Sequence, residues 1–123
     1  MATLNDRVLD NGLTVLDTEA NRVDICSSEP TTYAAATSTL TLGNETSISI
    51  SAPADASPNG RKVTLSAITG ASVTATGTAT HYAITDTGNS RLLATGALSS
   101  SQAVTSGNTF SLTASDIRIP DPA

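Results

Sequence analysis

Two hydrophobic periods run along this chain of 123 residues. Near the start, Leu9, Leu13, Leu16 and Ala20 recur at steps of four, three and four, with Val8 and Val15 flanking the stripe. That is the spacing of one helix face. Thr3 followed by Asp6 has the layout of a capping box at the helix start. Gly12 weakens the middle by about 1 kcal/mol relative to Ala. Two readings follow: a single helix, bent or broken near Gly12, or a helix over about 4–11 followed by an extended piece. The single helix is preferred.

After Asn21 the period changes to two, the repeat of a strand with one face inward. "RVDIC" sets Val23 and Ile25 against Arg22, Asp24 and Cys26. Pro30 opens a place for a short helical turn through Ala34 to Ala36. "STLTL" puts Leu40 and Leu42 on one face, and "TSISIS" does the same with Ile48 and Ile50. "SAPADASPNG" reads as a loop, because it holds two prolines and a Pro-Asn-Gly turn. "RKVTLSA" is a strand, and "ITGAS" is expected to turn the chain. "SVTATGTATHYAIT" is one long strand bent at Gly77, or two strands. "DTGNS" is a turn, "RLLATGAL" the returning strand, and "SSSQAVTSGN" a polar connection closing on an "SGN" turn. "TFSLTA" and "DIRIP" complete the series, the last stopped by Pro120. Roughly seven to nine short strands with turn signals every eight to twelve residues predict a mainly β fold, a small β-sandwich with an N-terminal α-helix. The division expected is a helical segment over 1–20 and a β domain over 21–123. Its core is expected to contain Val63, Leu65, Val73, Tyr82, Ile84, Leu92, Phe110, Leu112 and Ile117, each on the apolar side of an alternation.

Composition sharpens this reading. Aromatics are 2% of the chain, with no Trp, one Phe and two Tyr, so the core must be aliphatic. There are 21 Thr and 16 Ser, and the β-branched residues favour strands over disorder. Net charge is −5, and six of the acidic residues precede Pro30. The basic residues are scattered, so the stripe that nucleic acid demands is missing and no nucleic-acid partner is expected. No apolar run reaches membrane-spanning length, and the start "MATLNDRVLDNG" lacks the layout of a secretion signal, so no membrane partner and no export are expected. Cys26 is single and is read as a buried structural thiol, with no activating base close in sequence.

The stretch "HYAITDTGNSRLLATGAL" holds the single histidine. His81, Asp86 and Ser90 have the residue types of a hydrolytic triad, but a triad is a matter of geometry. No nucleophile elbow accompanies them, and Asp and Ser are ordinary turn residues. The stretch is read as a hairpin. One His and one Cys supply too few ligands for a transition metal, no Asp-rich calcium loop is spelled out, and no glycine-rich phosphate loop exists. Asn44-Glu45-Thr46 matches the glycosylation triplet by chance. No enzyme, no cofactor and no metal site is expected.

Two segments resemble a family. "THYAITD" followed by a Gly turn and "LLATGALSSSQAVTSGNTFSLTASDIRI" is similar to small bacteriophage virion structural proteins, those described as head-decoration or tail-fibre proteins. "LNDRVLDNGLTVLD" through "VDICSSEPTTYAAAT" is similar to the N-terminal part of short proteins from phages and prophages of alphaproteobacteria. The motifs are turns and apolar strands, so the resemblance carries over no functional residue. It implies a virion protein made in the host cytoplasm, most simply a decoration (cement) protein that binds the major capsid protein as a homo-oligomer. A trimer is favoured, since a capsid lattice offers local threefold and twofold positions. The alternatives are a tail, collar or baseplate component and, from another class, a carbohydrate- or receptor-binding module. The latter has only Tyr33, Tyr82 and Phe110 to stack on a sugar. On the helix, Leu4, Val8 and Leu9 are the candidate interface residues, because they extend the stripe beyond what a small domain needs to cap itself. The opposing reading folds the whole helix onto its own β domain.

Overall fold

The computed structural model describes residues 6–119, with side-chain surroundings described from Asn11 onward. The chain is mainly β, with the helix at the N-terminus, as its periodicities predict. The helix α1 spans Asp6–Glu19 without a break at Gly12. Nine strands follow among the described residues: β1 (Arg22–Cys26), β2 (Thr41–Glu45), β3 (Ala54–Asp55), β4 (Arg61–Leu65), β5 (Ile68–Val73), β6 (Gly77–Asp86), β7 (Arg91–Val104), β8 (Thr109–Leu112) and β9 (Ser115–Ile119). A five-residue π-helical turn, Ala35–Thr39, stands where the short helical turn is predicted. These strands pair antiparallel throughout.

The residues divide into two compact units. One unit holds α1, the segment Ser49–Ala67 and residues 113–119. Its sheet has the order β3-β4-β9. Val63 and Leu65 of β4 are buried, as are Leu13 and Leu16 of α1, which packs on β4. Opposite Gly12, a Cβ would stand 3.5 Å from Ile119 Cδ1, an ordinary contact that brings the helix against β9 as well. Leu13 and Leu16 therefore spend their apolar surface on β4, so α1 shares a unit with later strands and is not a segment apart. On the same sheet Asp116 accepts hydrogen bonds from Thr64 Oγ1 at 2.7 Å and Lys62 Nζ at 3.0 Å. The Thr64 hydroxyl, then the Lys62 ammonium, hold its carboxyl below the usual range.

The other unit holds Ala20–Ile48 and Ile68–Leu112. Its six-stranded sheet runs β7-β6-β1-β2-β5-β8. β1 sits in the interior of this sheet, and Val23, Asp24, Ile25 and Cys26 are all buried. Alternation predicts one wet face for β1, but the π-helical turn covers that face. Arg22 Nη2 reaches Thr37 O at 3.5 Å, and Cys26 Sγ lies 3.7 Å from Ala36 O. A small second core forms there from Cys26, Ala36 and Ala83, with Leu40 and Leu92 packed against it. At the β8 edge the single phenylalanine is 3% exposed. Its ring reaches over small neighbours: a Cβ on Gly43 would lie 3.0 Å from Phe110 Cε1 and 2.6 Å from Ser72 O. Gly43 is thus required by the close approach of β5 and of the Phe110 ring.

Several expectations need correction. "ITGAS" is not a turn: it is most of β5, bulged between Ile68 and Ala71, with Gly70 at φ 68° absorbing the kink. "SSSQAV" is not a loop but the second half of β7. The "TSISIS" strand shrinks to one bridge, Ile50 with Leu65. Of the two readings of "SVTATGTATHYAIT", the two-strand one holds: β5 ends at Val73 and β6 begins at Gly77. Of the predicted core, Val63, Leu65, Val73, Ile84, Phe110 and Leu112 are buried, while Tyr82, Leu92 and Ile117 are half-buried. Leu92 and Ile117 lie on β7 and β9, each at the margin of its sheet, where one flank has no neighbouring strand among the described residues. Tyr82 leans over Gly96 of that same marginal strand β7, where a Cβ would stand 2.5 Å from its Oη.

Candidate functional site

The hairpin of β6 and β7 brings the histidine stretch into register: His81 pairs with Ala97, Tyr82 with Gly96 and Asp86 with Arg91. His81 and Asp86 are five residues apart along β6, about 17 Å at the rise of an extended strand. They do not form a dyad. Asp86 instead builds the turn. Its Oδ1 accepts Gly88 N–H at 3.0 Å and its Oδ2 accepts Asn89 Nδ2 at 2.8 Å. The Asn89 amide, and then the backbone N–H groups of Gly88 and Asn89, hold the carboxyl below its ordinary range. Ser90 takes the left-handed conformation that closes the turn, φ 53°.

His81 itself sits at the end of a short relay. Thr80 Oγ1 lies 2.9 Å from Ser27 O and 2.9 Å from His81 Nδ1, within hydrogen-bond reach of both. Nε2 faces Glu29 Oε2 at 3.8 Å, a pair that is ionic only when the ring is protonated. Among the described residues no three His, Cys, Asp or Glu side chains converge as metal ligands.

The most strongly built polar cluster was not singled out as a site by sequence reasoning. Arg22 Nε donates to Asp24 Oδ1 at 2.7 Å and Arg22 Nη2 to Asp24 Oδ2 at 2.8 Å, a bidentate pair. Thr41 Oγ1 adds a third bond to Asp24 Oδ2 at 2.6 Å. The Asp24 side chain is 0% exposed. The hydrogen bond to Asp24 raises the Arg22 pKa against the opposing effect of burial. The signal in the sequence is the R-V-D spacing: residues i and i+2 of a strand share a face. Opposite charges in that relation next to a helical turn suit a clasp between strand and turn. Chemically the cluster ties β1 to β2 and to the π-helical turn, and leaves its carboxylate no approach for a substrate.

Cys26 is the inert thiol that its flanks predict. Burial, and then the Asp24 carboxylate, push its pKa up to about 12, which removes the thiolate at neutral pH. Phe110 and Tyr82 are also occupied, the first in the core and the second over Gly96. Leu4 lies outside the described residues, and Val8 and Leu9 lie on α1 with side chains outside them. Val15, at 38%, is the large apolar side chain that α1 exposes among the described residues. No helix among the described residues is long and apolar enough to cross a membrane. The chain matches no family model, no curated protein and no solved structure.

Proposed function

We propose that this chain is a structural protein of a bacteriophage virion, a decoration protein that binds the major capsid protein and reinforces the shell. The observation that carries the proposal is how its polar groups are used. Asp24, Asp86 and Asp116 each hold backbone or neighbouring strands together. Both sheets meanwhile end, among the described residues, in strands with an open side. A protein whose chemistry is spent on its own framework, and whose sheets offer backbone at their edges, is suited to assembly. The likeness of "THYAITD" and the segment after it to phage virion proteins supplies the setting. A ligand that prefers the assembled shell stabilises it by mass action.

A density map of the virion tests the placement. A domain of this size on the outer head surface, with a traceable α1 and six-stranded sheet, is the expected result. The same density in the tail, collar or baseplate would support the second virion role. Absence from the particle would overturn the proposal.

A further inference from the structure

We propose that Asn59 is a site of self-modification: its side-chain amide is lost by ring closure onto the Gly60 nitrogen, and Arg118 promotes the step. Asn-Gly occurs twice in the chain, at Asn11-Gly12 and at Asn59-Gly60. A glycine after Asn offers its backbone nitrogen with no side chain in the way. The two pairs sit in different settings. Gly12 lies inside α1, where its N–H belongs to the helix ladder. Asn59 and Gly60 lie in the connection between β3 and β4, with Gly60 in the left-handed region at φ 83°. This second pair also carries a cation. Arg118 Nη2, on β9, donates to Asn59 O at 3.1 Å and to Asn59 Oδ1 at 3.5 Å. A guanidinium donates and never accepts, so the side-chain amide turns its oxygen to Arg118.

Those two oxygens are the atoms that gain negative charge along the reaction. Hydroxide from the solvent takes the Gly60 N–H proton, and resonance spreads the resulting charge onto Asn59 O. The nitrogen then attacks Asn59 Cγ. The N–Cγ bond forms and the carbonyl electron pair moves onto Oδ1. When that pair returns, the Cγ–Nδ2 bond breaks, and ammonia leaves with a proton from water, which regenerates hydroxide. The product is a succinimide. Water opens it at Cγ to give Asp, or at the backbone carbonyl carbon to give an isoaspartyl link with one more methylene in the main chain. Nothing is oxidised or reduced. A cation placed on both oxygens favours the ionised nucleophile and the tetrahedral intermediate, as donors aimed at developing charge do. The carboxylate formed then faces the same guanidinium, a charge-assisted pair in place of a neutral contact. Arg118 is exposed, so its effect is smaller than that of a buried donor. The outcome is a slow, irreversible gain of negative charge at the β3–β4 connection, and it does not depend on the capsid reading.

The test is peptide mass spectrometry of the full-length protein held at neutral pH and physiological temperature, with circular dichroism to check the fold. The mass gain of an amide turned to an acid is followed at Asn59 and at Asn11. In the folded chain Asn59 is expected to convert while Asn11 keeps its amide, and in urea the two rates are expected to converge. Arg118→Gln is expected to slow conversion at Asn59 by roughly tenfold, short of the loss seen for a buried oxyanion donor. Arg118→Lys, which keeps the charge but not the planar fork, is expected to fall between the two. An Asn59 that keeps its amide, or that converts no faster than Asn11 in the folded chain, would overturn the proposal. So would a folded Arg118→Gln or Arg118→Lys variant in which Asn59 converts at the unaltered rate.

Discussion

Asp24→Ala is expected to lower folding stability by about 3–5 kcal/mol, the cost of breaking a buried ion pair by removing one partner. The carboxylate is fully buried and accepts three short hydrogen bonds, two from Arg22 and one from Thr41. Alanine leaves the Arg22 guanidinium, itself mostly covered, without its counter-charge, and leaves Thr41 without this acceptor. It also loosens the tie between β1 and the π-helical turn, because Arg22 holds Thr37 O from the same guanidinium. Removing both charges together, as Arg22→Met with Asp24→Leu, is expected to recover most of the loss, since a buried pair replaced by packed apolar groups is often neutral. The urea midpoints of the single and double variants measure this. A loss under about 1 kcal/mol for Asp24→Ala would show the clasp to be no more than an exposed ion pair.

Phe110→Ala is expected to cost about 3–5 kcal/mol, the usual range for an aromatic removed from a closed core. The core is otherwise aliphatic, and the ring fills the space above Gly43, where a side chain of that residue's own would collide with it. Its neighbours across β5 are small, Ala71 in particular, so they collapse little into the void. Equilibrium denaturation gives the value. A change near 1 kcal/mol, well short of that range, would mean that β8 is a loosely held margin and that the buried core ends at β5.

Where one face of an element stays wet, its register was readable from the sequence. α1 shows its stripe because Val15 faces water while Leu13 and Leu16 do not. β4 and β8 alternate cleanly for the same reason. β1 misled because both its faces are covered, and a buried Asp reads in a sequence as a surface residue. Its partner two residues earlier was the available clue. β5 and the far half of β7 look locally like turn and loop because Gly70 and a run of serines are turn residues by composition. Strand pairing with β8 and β6 overrode that local preference. Alternation along β6 predicts Tyr82 inside, but its ring is spent on a glycine at the sheet margin. The polar cluster at Asp24 depended on the turn at Ala35–Thr39 lying over β1, a contact between separate segments that no local pattern encodes.

The proposed reinforcement of a capsid shell is tested most directly by the rupture temperature of shells prepared without this protein. Adding back the purified chain should raise the temperature at which shells open, saturating at a fixed ratio of this protein to the major capsid protein. Shells that bind none of it, or bind it and open at an unchanged temperature, would contradict the account.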